Sequence, residues 1–182
     1  MRYKTIYADP PWLERGGGKI KRGADRHYPL MKTADIMALP VRDLIHPDGA
    51  HLYLWTTNNF LQDALQVVNA WGFQYVTTIT WLKDSVGLGQ YYRGLTEHCI
   101  FARTPNGLPF KTVDGKRQQG VTGFYAPKRE HSRKPDEMRE MIERVSYAPR
   151  IELFARERHE GWDAWGYDVT GTTPLSEIVQ KE

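Results

Sequence analysis

Segments with the pattern of β-strands alternate with segments of helical periodicity, and this alternation restricts the fold of the chain more than any other feature. Short runs of aliphatic, β-branched and aromatic side chains, typical of buried strands, lie at residues 3–8, 51–55, 75–82, 97–102 and 150–155. Apolar side chains at helical spacing lie between them, at residues 58–70 and 135–145. Strands that alternate with helices predict an α/β fold, a three-layer sandwich around a mostly parallel sheet.

Helix boundaries are predicted from capping residues. Thr33 is expected to cap a short helix that runs to residue 39, and Asn58 or Asn59 is expected to cap the helix that ends near residue 70. Pro135 suits the first turn of the last long helix, because a proline there removes no hydrogen bond from the helix.

Two segments without periodicity, residues 16–26 and 104–122, contain glycine together with basic side chains. This composition predicts mobile loops. Residues 121–126 are predicted to form a further short strand, and the tail from Thr170 onward is predicted to be peripheral.

The composition fits a single domain over residues 1–182 and excludes several classes of protein. The 25 Lys and Arg against 22 Asp and Glu give a net charge of +3, which is compatible with a nucleic-acid partner without requiring one. The single cysteine, Cys99, excludes an internal disulfide framework and a Cys-rich zinc site. No apolar run approaches the length of about 18 residues that a membrane helix needs. The six histidines also lack metal-ligand spacing, so we expect a cytoplasmic protein with no membrane span and no metal.

The segment Asp9-Pro10-Pro11-Trp12 ends the first predicted strand. In parallel α/β sheets ligands bind beyond the carboxyl ends of the strands, and this segment stands at such an end. The Asp9 carboxylate and the Pro10 carbonyl are two acceptors with little backbone freedom, and the Trp12 ring can stack on a flat ligand. The pattern favours a planar ring that carries an exocyclic NH2 group, and adenine with its N6 amine fits that description. A proline-stopped strand followed by an aspartate turn is the alternative interpretation.

Two acceptors that hold both N–H groups of such an amine would change its reactivity. The nitrogen lone pair of free adenine is delocalised into the ring, so the amine is a weak nucleophile. Acceptors outside the ring plane favour a tetrahedral nitrogen whose lone pair can point at a methyl sulfonium placed in line. Asp9 would then stabilise the positive charge that develops on nitrogen in the transition state.

Asp9-Pro10-Pro11-Trp12 resembles motif IV of the amino-methyltransferases that use S-adenosylmethionine. The order of the other segments resembles the branch that contains the catalytic subunit of the messenger-RNA N6-adenosine methyltransferase and its bacterial and phage relatives. Those segments run from residue 3 to about 168 and are Leu54-Trp55-Thr56-Thr57-Asn58, Trp81-Leu82-Lys83, Glu97-His98-Cys99, His131-Ser132-Arg133-Lys134-Pro135-Asp136-Glu137, Ile151-Glu152-Leu153-Phe154-Ala155-Arg156 and Gly161-Trp162.

The resemblance implies a Rossmann-like methyltransferase fold in permuted order, with the catalytic strand first and the cofactor-binding strand last. It implies methylation of adenine N6 in nucleic acid, with DNA ahead of RNA because the small chain resembles the bacterial and phage members. Two other activities stay open. Related Asn-Pro-Pro-Tyr proteins methylate glutamine amides in proteins, and some members of the family are non-catalytic partner subunits. A homodimer or a partner subunit that recognises the target is also open.

By the same resemblance, S-adenosylmethionine is the expected cofactor. Asp9 lies beside it, Lys134 pairs with its carboxylate, three residues line its adenosine end, and two lie near its ribose. The three lining residues are Leu153, Phe154 and Arg156, and the two ribose residues are His159 and Asp168. Tyr167-Asp168 departs from the family, in which many members have Asn followed by Gln or Glu. The alternatives are that Lys134 is a solvated loop lysine and that Phe154 belongs only to the core.

Adenine in a duplex hides N6 from a pocket, so the target base must be flipped out or single-stranded. By resemblance, Tyr28 lies near the target base and Glu97 near the mouth of the pocket. The two predicted loops are expected to close on the nucleic acid and to contact phosphates through seven cations, with a solvated basic face as the alternative. These cations are Lys19, Lys21, Arg22, Arg26, Lys111, Lys116 and Arg117. Tyr91-Tyr92-Arg93 is expected either to stack on bases or to be partly buried beside the sheet.

Overall fold

The computed structural model describes residues 2–13, 29–130 and 133–179. The predicted loop over residues 16–26, with Lys19, Lys21, Arg22 and Arg26, lies outside the described residues, as does Tyr28. The helices are α1 (Thr33–Met37), α2 (Leu61–Ala70), α3 (Asp136–Val145), α4 (Tyr167–Thr170) and α5 (Leu175–Val179), with 3₁₀ turns at Val41–Leu44 and Asn58–Phe60.

Most of the described strands join one sheet. Its members are β1 (Thr5–Ala8), β2 (His51–Thr56), β3 (Gln74–Leu82), β4 (Thr96–Arg103), β7 (Gly123–Tyr125), β8 (Arg150–Leu153) and β9 (Asp163–Trp165). A separate hairpin is formed by β5 (Thr112–Val113) and β6 (Lys116–Arg117). The strand order in the sheet is β7-β3-β4-β2-β1-β8-β9.

The sheet is mostly parallel, as predicted. β1 pairs in parallel with β2 and β8, β8 with β9, and β3 with β7, whereas β4 runs antiparallel to β2 and β3. The carboxyl ends of the six co-directional strands, and the amino end of β4, therefore lie along one edge. We call this the carboxyl edge, and we call the opposite one the amino edge.

Helices cover both faces of the sheet, so the predicted three-layer sandwich is confirmed. Side chains alternate between the faces because successive residues of a strand point in opposite directions. Ile6 and Leu54 pack with α1, α2 and α5, whereas their neighbours Tyr7 and Trp55 pack with α3. β1 and β2 lie in the middle of the sheet and are buried along their whole length, which explains why their sequences are largely continuous apolar runs.

The helix-cap predictions are wrong. The Thr33 hydroxyl donates to Asp63 Oδ1 at 2.8 Å, which ties α1 to α2 instead of capping α1. Asn58 lies in a 3₁₀ turn before α2, and its side chain bonds to His98 and Thr96. Pro135 occupies the position just before the first helical residue, one place earlier than predicted.

Two segments predicted to lack structure are more ordered than their composition indicates. The segment over residues 104–122 contains the β5–β6 hairpin. The tail from Thr170 is not peripheral, because Leu175 is 2% exposed and packs in the core. Within the described residues, no helix is long and apolar enough to cross a membrane.

Candidate active site

The turn after β1 is fixed by backbone hydrogen bonds. The Asp9 N–H donates to the Leu153 carbonyl at 3.4 Å, which extends the pairing of β1 with β8 by one residue. The Trp12 N–H then donates to the Pro10 carbonyl at 2.9 Å, and the Met31 N–H donates to the Pro11 carbonyl at 2.8 Å. The strand ends where the two prolines predicted, and Asp9 stands at the carboxyl edge.

Four charged side chains from different elements meet at this edge, and we call them the ion cluster. Lys134, just before α3, places Nζ 2.8 Å from Asp9 Oδ2 and 3.3 Å from Glu97 Oε2. The other oxygen of Glu97, on β4, accepts a hydrogen bond from Lys83, which directly follows β3. The four side chains are only 15–27% exposed, so the cluster is largely withdrawn from water.

The charges of the cluster oppose the effect of burial, and the outcome differs between its members. Burial lowers the pKa of Lys134, but Asp9 and Glu97 outweigh it and raise that pKa above its ordinary value. Burial raises the pKa of Glu97, but Lys134 and Lys83 together outweigh it and lower that pKa. For Asp9 burial prevails over Lys134, so the pKa of Asp9 is raised. The two lysines thus stabilise the ionised form of Glu97, whereas burial makes Asp9 the more easily protonated of the two carboxylates.

A cavity of about 350 Å³ opens beside Asp9, within the range of small-molecule sites. Its walls come from the ends of β1, β8 and β9 and from the segment over residues 171–174. That segment is held in place because the Trp165 indole N–H donates to the Thr173 carbonyl at 2.8 Å. The tail that was predicted to be peripheral thus forms one wall of the cavity.

The backbone of the wall between β8 and β9 adopts conformations that few residue types allow. Phe154 lines the cavity with φ = 63°, a left-handed conformation that is uncommon for a bulky residue. Its ring packs edge-on against Trp165, at 5.4 Å between centroids. At Gly166 an added Cβ would lie 2.4 Å from the Ala155 carbonyl oxygen, so only glycine allows β9 to end this close to β8. Backbone strain of this kind is concentrated at functional sites.

The structure brings most of the predicted cofactor residues to one place. Asp9, Phe154, Arg156 and Asp168 line the cavity, and Lys134 contacts Asp9 at its side. Pro11 also lines the cavity, whereas Pro10 is buried beneath it.

Leu153 and His159 are not brought to the cavity. Leu153 is completely buried in the core, on the face that packs against α1 and α2. His159 lies in a different cleft, on the α3 side of the sheet, with its Nε2 3.3 Å from Glu157. The loop between β8 and β9 crosses to that side before β9 returns to the cavity, so His159 and Asp168 are separated.

Trp12 and Glu97 both have partners within the protein. Trp12 stacks on Phe60, with 5.6 Å between centroids and 18° between planes, and its indole N–H donates to the Trp55 carbonyl. One face of the ring is therefore already covered, and the ring does not line the cavity. Glu97 is a member of the ion cluster, bound to two lysines, one of which also contacts Asp9 beside the cavity.

The cations of the β5–β6 hairpin lie at the amino edge, away from Asp9. Lys111 Nζ donates to the Glu143 carbonyl near the end of α3, at 2.9 Å. Arg117 covers the ring of Phe110 at 3.7 Å, and the Phe110 carbonyl accepts from Tyr147. Tyr147 in turn is bonded to the first residue of β1, so Lys111, Lys116 and Arg117 lie at the edge opposite the cavity.

Sequence reasoning missed Lys83 and Gly166. Lys83 directly follows a predicted strand, within a segment already singled out as Trp81-Leu82-Lys83, so its place at the carboxyl edge was a usable signal. Gly166 carried no such signal, because β9 has only three residues and its end is set by contact with β8.

An acidic turn, a buried lysine and a cavity at the carboxyl edge define an α/β protein built to bind a small molecule beside a reactive group. The chain belongs to the MT-A70 family, whose sequence profile matches residues 3–168. The resemblance expected from the sequence is thereby confirmed.

Three relatives show the range of the similarity. The chain is 30% identical to a probable N(6)-adenosine-methyltransferase MT-A70-like protein of Oryza sativa subsp. japonica, over 97% of this chain and 24% of that protein. It is 29% identical to the type II methyltransferase M.MunI of Mycoplasma sp, over 92% of this chain and 78% of that protein. It is 28% identical to the N(6)-adenosine-methyltransferase catalytic subunit METTL3 of Homo sapiens, over 93% of this chain. The chain thus spans about a quarter of the plant relative and 29% of the human one.

Proposed function

We propose that this chain transfers a methyl group from S-adenosylmethionine to the N6 amine of adenine in nucleic acid, with DNA ahead of RNA. The observation that carries the proposal is the placing of Asp9, fixed at the end of β1 between the buried Lys134 and a cavity of about 350 Å³. The names of the relatives, N(6)-adenosine-methyltransferase and type II methyltransferase, support the same chemistry.

The chemistry of the cavity fits the proposed cofactor. Its lining is largely apolar, Asp9, Arg156 and Asp168 are its charged side chains, and the Phe154 ring is a flat wall. Asp168 suits ribose hydroxyls, Phe154 and Arg156 suit the adenosine end, and the Lys134 ammonium suits the carboxylate. S-adenosylmethionine would supply a methyl group on a positively charged sulfur.

Asp9 and Pro10 would hold the amine of the target base. The Asp9 carboxylate accepts one N–H, and the Pro10 carbonyl can accept the other because a carbonyl oxygen has two lone pairs, of which Trp12 uses one. With both hydrogens held, the N6 lone pair is less delocalised into the ring. Transfer of the methyl group would break its bond to sulfur, which would leave as a neutral thioether, and the nitrogen would then carry one proton too many. Asp9, whose pKa is raised by burial, is suited to accept that proton.

The preference for DNA is supported by the extent of the matches. The chain covers 78% of the type II methyltransferase but only 52% of the N6-methyladenosine RNA methyltransferase of Cryphonectria parasitica and 29% of METTL3. Of these three relatives, the bacterial type II methyltransferase is the one that the chain matches over most of its length. The relatives named for adenosine or RNA keep RNA as the second candidate.

One assay tests the proposal. Purified protein is incubated with S-adenosylmethionine labelled in the methyl group and offered single-stranded DNA, RNA and a protein mixture in separate reactions. We expect label in DNA, recovered as N6-methyladenine after nuclease digestion. Label in RNA alone would change the substrate, and label in protein alone would support a glutamine methyltransferase. No label and no cofactor binding would identify a non-catalytic subunit and overturn the proposal.

A further inference from the structure

The connection between β3 and β4, residues 83–95, lies at the same edge as Asp9. Its first residue, Lys83, bonds to Glu97, and Glu97 is linked through Lys134 to Asp9. In the sheet order β3-β4-β2-β1, three strand spacings of about 4.8 Å separate β3 from β1. The base of this loop therefore lies about 14 Å from the candidate site, a distance of a few nucleotides.

Hydrogen bonds and one close backbone contact hold the loop in shape. The Gly87 N–H donates to the Gly94 carbonyl at 2.6 Å, and the Gly94 N–H donates to the Leu88 carbonyl at 3.2 Å. The Arg93 guanidinium donates to the Gly87 carbonyl at 3.0 Å. At Gly89 an added Cβ would lie 1.9 Å from the Tyr92 carbonyl oxygen, so the tip depends on glycine. These contacts fix the backbone conformation of the loop that carries the residues at its tip.

Two consecutive tyrosines at this tip have almost no contact with the protein. Tyr91 and Tyr92 are each 93% exposed, whereas Tyr3, Tyr7 and Tyr53 are at most 2% exposed. Burial of an aromatic ring is strongly favourable, so rings held in water on a shaped loop are available to a ligand. Of the two places considered for Tyr91-Tyr92-Arg93, partial burial beside the sheet is excluded.

The charge around the tyrosines favours a polyanion with flat bases. Arg93 is exposed and donates to carbonyl oxygens, so its positive charge is not neutralised by those partners. Lys128 is also exposed, and its backbone N–H donates to the Asp84 carboxylate at the base of the loop, so this surface carries two cations against one anion. Exposed aromatic rings beside cations are how proteins bind single-stranded nucleic acid without reading its sequence.

We propose that Tyr91 and Tyr92 form a stacking platform for the nucleobases next to the target adenine in a single strand. The platform rests on the proposed function, since it is the target adenine at Asp9 that would bring neighbouring bases to the loop. It would act by binding the strand and not on the reacting atoms, so its loss would raise KM for the nucleic acid and leave affinity for the cofactor unchanged.

The test measures binding of a fluorescein-labelled single-stranded DNA oligonucleotide by anisotropy, without turnover. The Tyr91→Ala/Tyr92→Ala variant should bind at least about fivefold more weakly, the lower limit for loss of one stacked base. Tyr91→Phe/Tyr92→Phe should bind within twofold of the wild type, because stacking needs the ring and not the hydroxyl. The matched control is Tyr75→Ala, an exposed tyrosine at the amino end of β3, which should bind like the wild type. Titration with S-adenosylmethionine by calorimetry checks that each variant is folded.

Two results would overturn the platform. One is an oligonucleotide affinity within twofold of the wild type in the double alanine variant. The other is a shift from dimer to monomer in sedimentation for that variant, with affinity for the oligonucleotide unchanged, because the loop would then bind a second copy of the chain. Failure of the proposed function is recognised separately, because it would appear as absence of label in DNA and RNA with the wild-type protein.

Discussion

The two edges of the sheet differ in how their buried polar side chains are paired: one edge uses ion pairs and the other uses neutral hydrogen bonds. At the carboxyl edge, Asp9, Lys134, Glu97 and Lys83 carry full charges in positions that are only 15–27% exposed. At the amino edge, His51, Ser146 and Tyr53 are at most 2% exposed and form neutral hydrogen bonds. His51 Nδ1 and Tyr53 Oη each lie 2.8 Å from Ser146 Oγ.

This difference indicates that the two edges contribute differently to the stability of the fold. Burial lowers the pKa of His51, so the ring is neutral, and its Nε2 lies 3.2 Å from the Leu108 carbonyl, which completes its hydrogen bonds. Buried ion pairs are weaker evidence for stability, because desolvation can exceed the attraction between the charges. We therefore expect the neutral amino edge to contribute more to folding, and under the proposed function the charged carboxyl edge serves the reaction.

Removal of the Asp9 carboxylate should have the largest effect on turnover. Asp9→Ala deletes the acceptor and the stabilising charge beside the reacting nitrogen, so we expect the rate of methyl transfer to fall at least about 100-fold. The affinity for S-adenosylmethionine, measured by calorimetry, should fall only a few-fold because the rest of the cavity is unchanged. Initial rates with the labelled cofactor provide the measurement.

The control for this variant is a carboxylate at the other edge. Asp48 lies just before β2, is 60% exposed and pairs with Lys4 at 3.0 Å. Asp48→Ala should leave the rate unchanged. Near-normal turnover in Asp9→Ala would show that Asp9 does not have the role proposed for it.

Loss of Lys134 should weaken cofactor binding. Lys134→Ala removes the proposed partner of the cofactor carboxylate and leaves Asp9 and Glu97 facing each other without the cation between them. We expect the affinity for S-adenosylmethionine to fall at least about tenfold, the effect of losing one charged hydrogen bond of roughly 1.5–3 kcal/mol. Lys4→Ala, at the amino edge, is the matched lysine control. An affinity equal to that of the wild type would contradict the assignment of Lys134.

Lys83 should act through Glu97, as a positioning residue. Lys83→Met keeps the length and packing of the side chain beside Trp81 but removes the partner of one Glu97 oxygen. The pKa of Glu97 should then rise, and its hold on Lys134 should weaken. We expect kcat to fall about three- to tenfold, the range of an ordinary hydrogen bond of about 0.5–1.5 kcal/mol because the effect on the site is indirect, and the acidic limb of its pH profile to move to higher pH. Lys83→Arg should restore most of the activity, and a profile unchanged in Lys83→Met would exclude this role.

Local signals predicted the parts of this molecule that local interactions decide. β1 and β2 could be predicted because residues buried on both faces of a sheet form continuous apolar runs. The end of β1 could be predicted because Pro10 and Pro11 cannot continue the hydrogen bonding of a strand. The place of Asp9 followed from that strand end. A tertiary partner overrode the prediction for Thr33, whose hydroxyl bonds to Asp63 on another helix.

Local sequence signals could not predict contacts between residues that are distant in the sequence. Lys83 meets Glu97 only because β3 and β4 pair as a hairpin, and the tail meets the cavity only because Trp165 bonds to Thr173. His159 was placed by resemblance beside Asp168, but the path of the loop before β9 separates them. Ser146 had no signal at all, although it joins two residues more than 90 positions away.

Ser146→Ala should therefore show most clearly that the two edges have different roles. We expect it to lower the free energy of unfolding and to leave kcat unchanged. The variant leaves His51 Nδ1 and the Tyr53 hydroxyl without their shared partner in a site that water does not reach. Unsatisfied buried polar groups cost about 1–3 kcal/mol, so the midpoint of urea unfolding should fall accordingly. The kcat of the folded variant should stay within twofold of the wild type. Ser176→Ala, an exposed serine on α5, is the control for stability. A large fall in kcat for Ser146→Ala, with stability unchanged, would show that the amino edge takes part in the reaction and would remove the distinction between the edges.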